Sequence, residues 1–192
     1  MKGLSHFLLE VTDYRRSQGI RVPMPAFLAM IIIGSMGGYN SLQSLARFME
    51  NNKEFFIKSF GLLHGVPGYT QTRTILSSID FRELNKAFYN WAVQFIDPDS
   101  TEWLSIDGKG MNSTNSNPHD SRQNFHAMVS VFARAKGISL AASTYENKKE
   151  SEIKVARELI NELDRKGLVL TLDAVHCQKK QPKPSWQEEM TM

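Results

Sequence analysis

The segment Leu168-Val-Leu-Thr-Leu-Asp173 (LVLTLD) decides how this chain is read. Five uncharged residues are too few for a helix and show no polar alternation, which suits a short strand covered on both faces. The strand stops at an acid, Asp173. Immediately before it, Ile153, Ala156, Leu159, Ile160 and Leu163 recur at helical spacing over Glu150–Lys166, and Gly167 stands where a helix takes its C′ glycine. Further upstream, Ile138–Thr144 (ISLAAST) and Ala127–Ala133 (AMVSVFA) are rich in β-formers and flank a Lys136-Gly137 turn. Trp103–Ile106 is a third apolar run, leading into Asp107-Gly108. Asn112–Asn124 is polar and loop-like. The predicted order is β-β-β-α-β.

The first hundred residues have a different character. Leu4, Phe7, Leu8 and Val11 fall at helical spacing, and an apolar helix is predicted over Ala26–Gly37. Asn40-Ser41 offers an N-cap for a helix with Leu42, Leu45, Phe48 and Met49 inside, and Phe55, Phe56 and Phe60 mark another. After the Gly65-Val-Pro-Gly68 turn, Asp80 and Glu83 have capping-box spacing. The helix they start carries Leu84, Phe88, Trp91 and Phe95 as one apolar stripe, expected to pack on the earlier helices. Asp97-Pro-Asp-Ser100 ends it and reads as a domain boundary. The fold class is therefore α+β, with an all-helical domain at 1–97 and the strand-rich segment from 101 onward.

The 192 residues carry a net charge of +3, with ten Lys/Arg against eight Asp/Glu in the first hundred and thirteen against twelve thereafter. Neither half is a polybasic tail, so charge alone does not argue for a nucleic-acid partner. The apolar run Ala26–Gly37 falls short of the ~20 residues a bilayer span needs. The single cysteine, Cys177, cannot build a disulfide framework, and no secretory signal is read, so a cytoplasmic, reducing setting with no membrane partner is expected.

Two acids stand at predicted strand ends, Asp107 and Asp173. With strand four beside strand one, both would project from the same sheet edge and could share divalent cations. Mg²⁺ takes one or two carboxylates plus water and phosphate oxygens, and a two-ion site serves phosphodiester displacement. Asp-Gly is also a turn dipeptide, and Asp173 reads also as a solvated strand-end acid; the residues alone leave both readings open and put these two first. His176 and Cys177 do not make a zinc site, because no second cysteine exists and His119 and His126 lack ligand spacing.

The segment Ser105-Ile-Asp107-Gly-Lys109, followed by a polar loop, Phe125–Ala133, Glu152-Ile153 and Leu170-Thr-Leu-Asp173-Ala-Val-His176-Cys-Gln178-Lys179-Lys180, resembles the insertion-sequence transposases of the ISAs group, which include H-repeat-associated proteins. Gly65-Val-Pro-Gly-Tyr-Thr-Gln-Thr-Arg73 and Phe88-Tyr-Asn-Trp91 resemble that group's preceding helical domain. The resemblance implies an RNase H-like DDE catalytic domain, here over 101–180, that uses Mg²⁺ to cleave and join DNA at transposon ends. It implies Asp107 and Asp173 as the first two catalytic, metal-binding acids, and Lys109 as a phosphate contact. Arg73, Arg122 and Arg134 are candidate DNA-backbone contacts. Glu152 matches a recurrent glutamate, as either a helix N-terminal charge or a site residue. Beyond Lys180 the chain departs from the family pattern before the third acid. Read one base earlier, Pro184–Met192 can spell Ala-Ile-Val-Ala-Gly-Gly-Asn-Asp-Tyr, close to the family's continuation, so 181–192 is expected to be a frameshifted tail. The expectation is a truncated, catalytically inactive transposase that binds Mg²⁺ weakly. The alternatives are a fragment that binds DNA or a full-length transposase as an inhibitor, or a product without function; self-association is also open.

Overall fold

The computed structural model describes residues 3–96, 101–111, 114–115, 124–163 and 168–172. Packing divides the chain into two units, Met1–Ala87 and Phe88–Met192. Among the described residues there are seven α-helices and one four-stranded mixed sheet, an α+β arrangement.

The first unit holds α1 (Leu4–Glu10), α2 (Met24–Met36), α3 (Leu42–Asn51), α4 (Lys53–Phe60), α5 (Tyr69–Ser78) and the start of α6 (Phe81–Ala92). α2 begins two residues earlier than expected because Pro25 fits its first turn, where a missing N–H costs nothing. It buries Met24, Ala26, Phe27, Leu28 and Met30. No helix among the described residues is long and apolar enough to cross a membrane. Gly34 on α2 lets α3 come close: a methyl there would stand 2.8 Å from Leu45 Cδ2 and 3.0 Å from Phe48 Cδ1. Ser41 caps α3 as expected, accepting from Ser44 N while Ser44 Oγ accepts from Ser41 N.

The capping box expected at α6 forms only in part. Asp80 Oδ1 accepts from Arg82 N at 2.8 Å and from Glu83 N at 3.4 Å. Glu83 does not reach back to Asp80. Its carboxylate accepts from Thr12 N, from the Thr12 hydroxyl and from the Tyr14 hydroxyl, 69 to 71 residues away in sequence. These donors, Thr12 foremost, hold the Glu83 carboxyl below its ordinary pKa. A long-range tie has displaced a local cap.

The second unit is built on β1 (Glu102–Met111), β2 (His126–Ala133), β3 (Ile138–Glu146), α7 (Glu152–Glu162) and β4 (Leu168–Leu172), with strand order β3-β2-β1-β4. β1, β2 and β3 form an antiparallel meander. The α7 crossover returns the chain so that β4 runs parallel to β1, with Glu102 opposite Leu168 and Ile106 opposite Leu172. Ser151 caps α7, accepting from Lys154 N at 3.4 Å. Leu104, Ile106, Val129, Val131 and Leu140 meet Val155, Ala156 and Leu159 of α7 in the core.

Three expectations change here. β1 continues to Met111, so Asp107 lies within the strand rather than at its end, because pairing with β2 overrides the local Asp-Gly turn signal. β4 is half-buried along its length rather than fully covered. Phe88 and Trp91 of the α6 stripe pack on the core of this second unit, where the Tyr89 hydroxyl also donates to Leu163 O.

Glu102, the first residue of β1, is 2 % exposed. Its Oε1 accepts from Ala135 N at 3.2 Å, tying the strand to the β2–β3 turn. A buried carboxylate is sustainable only with such donors.

Candidate functional site

Alternate residues of β1 point to opposite faces of the sheet. Leu104 and Ile106 are buried on the α7 side, whereas Trp103, Asp107 and Lys109 are exposed on the other. Asp107 is opposite Ser130 on β2, and Lys109 is opposite Met128. The Asp107 carboxylate makes no hydrogen bond or ion pair with another described residue. It is a hard oxygen donor on an open face, the chemistry Mg²⁺ takes, with water and phosphate oxygens completing the shell. Among the described residues no three His, Cys, Asp or Glu side chains gather into a metal cluster.

The parallel ladder between β1 and β4 ends, among the described residues, at Ile106 opposite Leu172. Asp107 and Asp173 are the next residues in sequence after that pair. Asp173 itself lies outside the described residues, as do Arg122, His119, His176, Cys177 and the tail 181–192.

The other expected site residues are spread out. Arg134 begins the β2–β3 turn, is exposed, and donates its N–H to Trp103 O at 3.0 Å. It stands four β1 positions from Asp107, about 13 Å at the usual rise per residue. Arg73 is exposed on α5, in the first unit.

Glu152 is brought to the candidate acid's own segment. It is the first residue of α7, and its carboxylate lies against Gly108, the residue after Asp107. A Cβ built on Gly108 would stand 2.4 Å from Glu152 Cδ and 2.5 Å from its Oε1. The Tyr145 side chain on β3 lies beside the same carboxylate. Burial first, and then the Glu152 charge, raise the Tyr145 pKa above its ordinary value. Gly110, two residues further along β1, takes the Phe125 ring: a Cβ there would stand 3.1 Å from Phe125 Cε2. Phe125 N donates to Asn147 Oδ1 at 2.9 Å, and Asn147 N donates to Phe125 O at 3.1 Å, joining the start of β2 to the end of β3. Next to this join, Lys149 pairs with Glu146 at 2.6 Å and, with Asn124, lowers the Glu146 pKa. Sequence reading missed Tyr145 and the reason for Gly108. The available signal was Asp-Gly-Lys-Gly in a stretch otherwise fit for a strand, since glycine inside a strand marks a close approach.

The comparisons with known proteins fit this architecture. Residues 5–92 match the family model described as DDE_Tnp_1-associated. Over 180 residues, 93% of this chain, it is 26% identical to "Putative protein YbfL" of Escherichia coli K12, covering 47% of that protein. It is 25% identical over 93% of its length to "H repeat-associated putative transposase YbfD" of the same strain, covering 70% of it. It is likewise 25% identical over 93% of its length to "H repeat-associated putative transposase YhhI", covering 47%. The chain thus spans about half the length of YbfL and YhhI. No solved structure matches it. Residues 5–92 thus carry a DDE_Tnp_1-associated unit, ahead of a mixed-sheet unit. Over most of its length the chain is similar to H repeat-associated putative transposases.

Proposed function

We propose that this chain is an insertion-sequence transposase chain of the DDE type, acting on DNA at transposon ends, and that its second unit is the opening of an RNase H-like catalytic fold. The observation that carries the reading is the parallel register of β1 and β4, whose last described pair is Ile106 opposite Leu172, with an acid next in sequence after each. Asp107 and Asp173 are the residues to hold Mg²⁺, which when bound activates the attacking oxygen and stabilises the leaving one in phosphodiester cleavage and joining. Lys109, exposed on the same face of β1 as Asp107, is suited to a DNA phosphate. Arg134, Arg122 and Arg73 add backbone contacts that hold DNA without reading sequence.

The test is nicking of a supercoiled plasmid that carries transposon-end DNA, with Mg²⁺ and with Ca²⁺. Salt-dependent binding of that DNA, with any nicking confined to Mg²⁺ and lost in both Asp107→Asn and Asp173→Asn, supports the reading. Nicking that survives either substitution refutes it. Failure of the chain to bind the same DNA, or binding with no dependence on salt, removes the DNA-acting part of the proposal.

A further inference from the structure

The Asp107-Gly108 pair is not a turn. It lies inside β1, and Gly108 is not among the glycines with positive φ, so its backbone does not demand glycine. Space does. The Glu152 carboxylate fills the place where a side chain would begin, with Cδ, Oε1 and Oε2 at 2.4, 2.5 and 2.8 Å from a built Cβ.

Nor is Glu152 needed to start its helix. Ser151 already caps α7, and Glu150 pairs on the surface with Lys154 at 2.9 Å. A first-turn glutamate serving only the helix dipole gains that energy while pointing into water. Glu152 is instead turned in on the sheet against Gly108, beside Tyr145, itself 9 % exposed.

We propose that Glu152 is a positioning residue for Asp107: its carboxylate seats against the bare Cα of Gly108, and this seat fixes the β1 segment that carries the acid. The inference rests on the metal-binding reading of Asp107 given above.

The test is Mn²⁺ binding by the full chain, followed by electron paramagnetic resonance, with thermal melting of each variant alongside. Asp107→Asn should abolish the site. Glu152→Ala should weaken Mn²⁺ binding by about 10- to 100-fold, the usual effect of removing a group that orients a ligand, while Glu152→Gln, which keeps the shape that fills the space at Gly108, should stay within about threefold of wild type. Gly108→Ala should weaken binding as Glu152→Ala does, and the double variant should be no worse than either single one, because the alanine methyl occupies the space the carboxylate leaves.

Unchanged binding in Glu152→Ala overturns the positioning role and leaves the reading of Asp107 intact. Equal loss in Glu152→Gln and Glu152→Ala also overturns it, since the charge rather than the seat would then matter. Absence of Mn²⁺ binding in the wild type, or binding that Asp107→Asn keeps, overturns the metal-binding reading and the inference with it. Should Gly108→Ala fail to fold, the alanine and glutamine variants of Glu152 still decide.

Discussion

Replacing Gly34 by alanine sets two effects of known size against each other. Alanine inside an exposed helix is favoured over glycine by about 1 kcal/mol, so propensity alone predicts a more stable protein. The added methyl would stand 2.8 Å from Leu45 Cδ2 and 3.0 and 3.3 Å from two carbons of the Phe48 ring. Leu45 is 7 % exposed and has little room to retreat. Forcing a methyl into a packed contact costs about 1–3 kcal/mol, and two crowded neighbours place this site toward the upper end. The expected net effect is a destabilisation of about 1–2 kcal/mol, or a fall in Tm of roughly 4–16 °C for a unit of this size. Thermal melting followed by circular dichroism at the helical minimum reads it directly. Leu45→Ala in the same background should make room for the methyl, so that the double variant loses less than the sum of the two single ones. An equal or higher Tm for Gly34→Ala would refute the close α2–α3 crossing.

Three further predictions address other parts of the molecule. Glu102→Ala leaves the Ala135 N–H without its acceptor and should cost about 1–3 kcal/mol in chemical denaturation, whereas Glu102→Gln, which keeps an acceptor, should cost less; equal losses would mean the 3.2 Å bond is not the reason for burying this residue. Because Thr12 and Tyr14 lower the Glu83 pKa, the contribution of Glu83 to stability is present above the ordinary glutamate value of 4.5 and is lost as pH falls through the depressed one. Glu83→Gln should flatten that part of the acid-side decline in Tm, and an unchanged profile would count against the tie. Lys109→Ala should lower the magnitude of the salt dependence of DNA binding by about one, whatever the DNA sequence; a loss confined to one sequence would instead assign Lys109 to base reading.

Much of this fold was legible because its signals are local or periodic. β4 stands where LVLTL placed it, β2 and β3 begin within a residue of their alternating runs, and Ser41 caps α3. What escaped depends on partners distant in sequence. The Asp-Gly pair signals a turn to any window centred on it, and only pairing with Ser130 and Val129 reveals that the strand runs on. Glu83 has the spacing of a capping box, yet charge and hydrogen bonding draw it to Thr12 and Tyr14. The stripe on α6 announces a buried face without naming what covers it; for Phe88 and Trp91 the cover is the core of the second unit. At the candidate site, sequence supplied Asp107 and Glu152 as separate residues. Their link through Gly108 needs coordinates, because 44 residues separate Gly108 from Glu152 and no periodicity spans that distance.

The claim on which the rest depends is that Asp107 and Asp173 form one site for a hard divalent cation. Isothermal calorimetry of the purified chain with Mg²⁺, repeated on Asp107→Asn and on Asp173→Asn, tests it most directly. The account predicts binding in the wild type that each substitution alone abolishes, since Mg²⁺ held by so few protein ligands cannot spare one. Binding that persists undiminished in either variant would contradict it.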